Sequence, residues 1–210
     1  MIYNNRPSND STRRIAIGLC GKIYSGKDTV ADFLVKKYGF KKYSYSSDVL
    51  STIIKLARGI ESREVYISLG LLLGKNFGKY CLDQLLYGKV LNDNCNKIVI
   101  PNIRLLSNIE FWKEKSDFTF YLVAISASDE IRFKRWKKAS GKKESHTYDS
   151  QIKTKSNFLE LSRKDFEETD LKKILSAQCF DFTINNDVSL ADLHLQIAKM
   201  RDQLFNQYNE

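Results

Sequence analysis

Residues 14–29 read Arg-Ile-Ala-Ile-Gly-Leu-Cys-Gly-Lys-Ile-Tyr-Ser-Gly-Lys-Asp-Thr. Ile15, Ala16, Ile17, Leu19 and Cys20 form a short apolar run of the kind that makes a buried strand. Gly21, four further residues, Gly26 and Lys27 follow at once, and an amphipathic stretch runs from Thr29 to Tyr38. This is the spacing of a phosphate-binding loop, the Walker A pattern, set between a strand and a helix. Glycines let the backbone wrap until successive N–H groups converge on phosphate oxygens, and the following helix points its positive end the same way. Gly21, Lys22, Tyr24, Ser25 and Gly26 are therefore the expected nucleotide-binding loop, and Lys27 the cation that reaches the β- and γ-phosphates. Asp28 stands where the pattern has Ser or Thr, with Thr29 one step later. Both are candidates to touch magnesium: Asp28 has the usual position, Thr29 the usual hydroxyl.

Outward from this loop the apolar spacing alternates between strand and helix. A first strand is expected over 15–20 and a helix over 28–38, then a second strand over Phe40–Ser46, whose residues alternate apolar and polar. Ser47 or Asp48 is a natural N-cap for a helical stretch through Arg58. Helical spacing from Ser62 to Leu91, interrupted near Gly74–Gly78, predicts two helices. A short strand over Lys97–Ile100 stops at Pro101, a helix follows over Leu105–Lys115, and Phe118–Ile125 has the near-continuous apolar run of a central parallel strand. A helix is expected from Asp129 to Lys138, a polar excursion over 139–157, a helix over 157–177, a strand over Phe180–Ile184 and a closing helix over Leu190–Tyr208. The alternation predicts an α/β layered fold with a mainly parallel five-stranded sheet.

The 210 residues fit one domain with a sizeable core, and 42% hydrophobic against 28% charged residues is the balance of a globular protein. No apolar stretch approaches the about 20 residues needed to span a bilayer. Residues 1–13 are polar and lack the apolar centre of a secretory signal, so they are expected to be a loose lead-in and the protein cytoplasmic. Cys20, Cys81, Cys95 and Cys179 are scattered without metal or redox spacing and are expected as reduced core or near-core thiols. The net charge of +9 suits nucleic acid, but suits equally a site holding a nucleoside triphosphate beside a second phosphorylated molecule.

Taken in order, these stretches resemble the P-loop kinases of small phosphorylated metabolites, the nucleoside-monophosphate-kinase-like group. Gly26-Lys27-Asp28-Thr29 resembles phage-type deoxynucleoside monophosphate kinases, and animal-type phosphomevalonate kinases share the Gly-Lys-Asp. Ser44–Leu50 resembles the strand-two end that faces the acceptor in such enzymes. Ile98–Phe111 is similar to the strand and Asp-Gly-Ile-Arg stretch of dephospho-CoA-kinase-like proteins, and Ala124–Lys138 to their arginine-bearing helix before the lid. Asp181–Leu193 resembles the last strand, Asn-Asp turn and closing helix. The resemblance implies a three-layer P-loop kinase fold over 14–210 with a helical lid at about 137–160. It further implies ATP and magnesium, and a small phosphorylated acceptor, first a (deoxy)nucleoside monophosphate and second dephospho-CoA. Pro101 departs from the group, which usually has Asp there to support magnesium through water; Asp28 offers a carboxylate in compensation. That departure keeps a non-catalytic nucleotide- or RNA-binding protein as a reading from another class.

Phosphoryl transfer depends on charge neutralisation and alignment more than on covalent chemistry. Lys27 is accordingly the first catalytic candidate. Asp48 is set either to orient or deprotonate the acceptor or simply to cap its helix. Arg104 follows a buried strand at the carboxyl edge of the sheet, where open α/β folds bind ligands, and is expected on the acceptor phosphate. Of Arg132 and Arg135, three apart on one helix face, at least one is expected to reach the transferring phosphates when the lid closes, the alternative being a solvated basic face, with Arg163 a weaker candidate. Asn186 and Asp187 either frame the donor base or form a plain turn. His146 and His194 have no partners in the sequence that point to a metal site or a nucleophilic triad and are expected to be structural.

Overall fold

A computed structural model describes residues 14–140, 154–167 and 169–205. Five parallel strands lie in the order β2-β3-β1-β4-β5, with β1 spanning Arg14–Cys20, β2 Lys41–Lys42, β3 Lys97–Ile100, β4 Phe118–Ser126 and β5 Phe182–Asn185. The strand carrying the Gly-x4-Gly-Lys loop is thus the middle one, flanked by β3 and β4 over most of its length. Alternation along β1 sorts its side chains between two layers. Ala16 and Cys20 face a cluster built from α4 (Cys81–Asn92), α5 (Leu106–Lys113) and α8 (Leu171–Ala177), centred on Leu86, Trp112 and Ile174. Ile17 and Leu19 face α1 (Lys27–Tyr38) and α9 (Leu190–Phe205), through Leu34, Ile197 and Met200. Helices on both faces of an all-parallel sheet give three layers, as expected.

Gly18 sits on β1 with no room for a side chain. A Cβ there would lie 2.7 Å from the Phe120 ring and 2.8 Å from Ile103. Its absence lets the segment after β3 cross β1, where the Ile103 N–H donates to the Leu19 carbonyl at 3.1 Å. The next residue, Arg104, is thereby delivered to the mouth of the loop.

Several expectations need correction. The second strand is only Lys41–Lys42, not Phe40–Ser46: after Tyr43 N–H donates to Val99 the chain turns into a wide π-type turn, Tyr45–Leu50, in which Ser51 N–H bonds back to Ser46. The alternation misled because Tyr43 and Tyr45 are both buried, which a strand and a helix entry satisfy equally. The helical stretch continues as α2 (Ser51–Leu56) and starts before Asp48, so Ser44, not Ser47 or Asp48, occupies its N-cap position. The helix expected over 157–177 is two, α7 (Lys155–Glu167) and α8. The Ser62–Leu91 pair is α3 (Arg63–Phe77) and α4, broken at Gly78, and α6 spans Asp129–Ser140. Cys20 is buried but Cys179 is exposed, unlike the near-core thiol expected. Among the described residues no helix is long and apolar enough to cross a membrane. The lead-in over 1–13, and positions 141–153 of the expected lid with Lys142, Lys143 and His146, lie outside the described residues.

Candidate active site

The loop takes its shape from three positive-φ positions, Gly21 (+148°), Tyr24 (+59°) and Gly26 (+101°). Gly26 is the N-cap of α1 and supplies no side-chain cap, so the first-turn N–H groups of a 12-residue helix are left to whatever binds in the loop. Lys27, the first residue of α1, is 6% exposed and folds back over the loop, donating from Nζ to the Gly21 carbonyl (2.8 Å) and the Lys22 carbonyl (3.0 Å). Burial, and secondarily the nearby Arg104 guanidinium, push its ammonium down to about 8. An ammonium held this way is short of negative charge, which a polyphosphate supplies. The Ser25 hydroxyl, fully buried, has no hydrogen-bond partner among the described residues, which fits a loop shaped for a ligand's phosphate oxygens.

These facts give a pH dependence with a definite sign. A bound polyphosphate raises the Lys27 pKa above its free value, so nucleotide affinity is expected to be flat below pH 8. Above it, affinity falls by up to about tenfold per pH unit, with proton uptake on binding. Calorimetric titration of nucleotide in buffers of different ionisation enthalpy measures both.

Behind the loop, α6 supplies two arginines that grip it from outside. Arg132, 1% exposed, donates to the Ile23 carbonyl (3.0 Å), Ser162 Oγ (2.8 Å) and Asp129 (2.5 Å), and lies over the Phe158 ring. Arg135 donates to the Ser25 carbonyl (3.1 Å) and the Asn186 carbonyl (2.7 Å). Asn186 itself donates to the Ser25 carbonyl (2.7 Å), and Asp187 accepts from the Ser128 N–H (2.8 Å). In this conformation Arg132, Arg135 and Asn186 hold loop carbonyls, and Asp187 ties the turn after β5 to the start of α6. Ile23 and Tyr24 pack against Trp136, Phe133 and Phe158, so α6 and α7 are seated on the loop by an apolar cluster of their own.

On the other side, Arg104 is paired to Asp165 of α7, whose side chain is 3% exposed. Lys22 stands over Phe166, the next residue of α7, at 5.2 Å. Asp48 is half-buried and its Oδ2 accepts from the Ser44 N–H (2.8 Å) and the Ser47 hydroxyl (3.2 Å). Asp28 and Thr29 are exposed in the first turn of α1, with Asp28 paired to Lys42 at 2.8 Å. Arg163 is exposed and paired along its own helix with Glu167 at 2.6 Å, apart from the loop contacts. His194 stacks on Phe33. Asp165 was missed by sequence reading, though a signal existed: Phe158, Ser162 and Asp165 are spaced four and three apart, one helix face, and are the buried residues of α7.

A parallel sheet in this order, with a Gly-x4-Gly-Lys loop running from its central strand into a helix, is the three-layer α/β fold of the P-loop kinases. No family model matches the chain. In sequence it is similar to a dephospho-CoA kinase from Rickettsia conorii, at 29% identity over 203 aligned residues covering 89% of this chain and 95% of that protein. A dephospho-CoA kinase from Rickettsia felis matches over the same shares at 27%. Among solved structures, shikimate kinase from Bacteroides thetaiotaomicron superposes with a TM-score of 0.54 at 15% identity, over 90% of this chain and 98% of that one. Deoxyadenosine kinase from M. mycoides does so at 0.50 and 16%, over 91% and 100%. These two likenesses are of fold.

Proposed function

We propose that the protein transfers the γ-phosphoryl group of ATP to dephospho-CoA. For the chemistry, the observation that carries the reading is Lys27, a buried ammonium folded over its own loop with Arg104 close enough to depress its pKa. For the acceptor, support comes from the sequence relatives, which span nearly the whole chain and favour dephospho-CoA over the nucleoside monophosphate first expected. The second reading, a (deoxy)nucleoside monophosphate acceptor, rests on the Gly26-Lys27-Asp28-Thr29 form of the loop.

In this account Lys27 leaves the Gly21 and Lys22 carbonyls for the phosphoryl oxygens and follows them through transfer. Arg104 binds anionic oxygens near the acceptor, exchanging part of its pairing with Asp165. Asp48, whose Oδ2 is engaged by Ser44 and Ser47, offers Oδ1 to the acceptor hydroxyl. Arg132 and Arg135 keep the loop rigid, so little reorganisation accompanies charge transfer. Among the described residues no three His, Cys, Asp or Glu side chains cluster as a metal cage. Magnesium is typically held by one or two protein oxygens plus phosphates and water, and Asp28 or Thr29, exposed in the first turn of α1, would supply that oxygen here. When bound, magnesium supplies charge neutralisation between the phosphates.

The test is ADP release from Mg-ATP with dephospho-CoA and a panel of nucleoside and deoxynucleoside monophosphates. Release that depends on dephospho-CoA is the expected result. Dependence on one monophosphate instead selects the second reading. ATP binding with no acceptor-dependent release overturns both, in favour of a nucleotide-binding protein disabled by Pro101.

A further inference from the structure

A buried polar cluster outside the phosphate loop joins the two segments that carry the acceptor-side candidates. Asn108 Oδ1 accepts from the backbone N–H of Arg104 (3.4 Å) and of Leu105 (3.1 Å), and Asp170 accepts from that of Leu106 (3.1 Å). Asn108 in turn donates through Nδ2 to both oxygens of Asp83, at 3.1 and 3.0 Å. Asp83 Oδ1 also accepts from the Tyr45 hydroxyl at 2.5 Å, and the Tyr45 oxygen accepts from Trp112 Nε1 at 3.2 Å. Tyr45 opens the π-type turn that contains Asp48. A chain of side-chain bonds therefore runs from the Asp48 turn through Asp83 on α4 to the Arg104 backbone.

Asp83 is 1% exposed and Asn108 5%, in the layer that holds Leu86, Val90 and Trp112. Burial raises the Asp83 pKa, offset in part by the Tyr45 and Asn108 donors. Apolar residues of similar size usually serve stability as well as a buried carboxylate does, or better. What the carboxylate adds is directional: its acceptors fix which way Asn108 presents its amide. With Nδ2 committed to Asp83, Oδ1 must face the Arg104 and Leu105 N–H groups.

We propose that Asp83 is a positioning residue for the acceptor, setting the gap between Asp48 and Arg104 through Tyr45 on one side and Asn108 on the other. The inference rests on the reading above that these two residues face the acceptor.

Asp83→Asn tests it with almost no change of volume. The new amide places a donor against Asn108 Nδ2, and if Asn108 flips to accommodate it, a donor then faces the Arg104 and Leu105 N–H groups. Both arrangements loosen the Arg104 segment. The expected result is an acceptor KM raised about tenfold or more, since misplacement of about 1 Å can cost 10²-fold, with ATP affinity unchanged. Amide hydrogen exchange at Arg104 and Leu105 should quicken in parallel. The double variant Asp83→Asn with Asn108→Asp moves the carboxylate to position 108, where one oxygen can accept from the Arg104 and Leu105 N–H groups and the other from the new amide at position 83, and should restore both readouts at least in part. Wild-type exchange at Arg104 and Leu105 in Asp83→Asn, or a double variant no better than the single one, overturns the proposal. So does a rise in acceptor KM matched by an equal loss of ATP affinity, the mark of general destabilisation. If the wild type shows no acceptor-dependent turnover, the kinase reading falls, while exchange in the same variants still decides whether Asp83 governs the Arg104 segment.

Discussion

Lys27→Met is expected to abolish turnover while leaving the fold intact or slightly more stable. Loss of a cation that follows the moving phosphoryl group removes transition-state stabilisation on the order of 10³-fold in kcat. Stability should move the other way. Burial depresses the Lys27 pKa from 10.5 to about 8, so Lys27 stays charged at neutral pH but at a cost to the stability of the folded protein. Between pH 8 and 10.5 the unfolded chain binds more protons at this position than the folded one, so wild-type stability rises with pH across that window. Methionine of similar length removes both the penalty and that rise. Chemical denaturation at pH 7 and 9.5, beside kcat, reads out all three effects. A variant that loses activity and unfolds readily would make Lys27 a structural residue. Polar side chains buried at a cost to stability are common at functional sites and unusual elsewhere.

Gly21→Ala should be the most damaging single change in the loop. Gly21 has a φ of +148°, which side chains rarely adopt, and a Cβ would land within van der Waals contact of the Ile125 carbonyl oxygen. That oxygen belongs to β4, paired to β1 in register up to Cys20 and Ala124, so nothing flexible can give way. Relief comes only by rotating the Gly21 peptide, whose carbonyl holds Lys27, or by parting the strands. A cost of about 2–4 kcal/mol in stability is expected, with ATP affinity down by more than tenfold. Gly39, the αL C-cap of α1, is the control: a Cβ there meets nothing within 4 Å, so Gly39→Ala should cost only about 1 kcal/mol and leave ATP binding alone. Calorimetric melting with ATP titration separates the two. Equal effects from both substitutions would contradict the loop conformation.

The sheet, the loop and the order of most elements were legible because each is dictated by local chemistry. Gly21, Gly26 and Lys27 declare a phosphate loop by spacing, and apolar periodicity places β1, β3, β4 and α1. What escaped the sequence lies where one pattern serves two structures or where meaning depends on packing. Tyr43 and Tyr45 satisfied a strand pattern although Tyr45 begins a helical turn. Arg132 and Arg135 look like a basic face open to phosphates, yet each also holds a carbonyl of the loop more than 100 residues earlier. Asp83 resembles any helix-surface acid; only α5 and the π-type turn closing over it make it a buried hub. Asp165 carried a signal, its place on the Phe158 face, but its partner Arg104 comes from another element. Such residues are defined by neighbours distant in sequence.

The most direct test of the central claim follows the γ-phosphoryl group itself. ATP labelled at the γ-phosphate is incubated with protein, magnesium and dephospho-CoA, with Lys27→Met as the blank, and the products are separated. Label on the acceptor, absent from the blank, is the predicted result. Label that stays on ATP, or appears only as inorganic phosphate at a rate indifferent to any acceptor, would contradict a kinase.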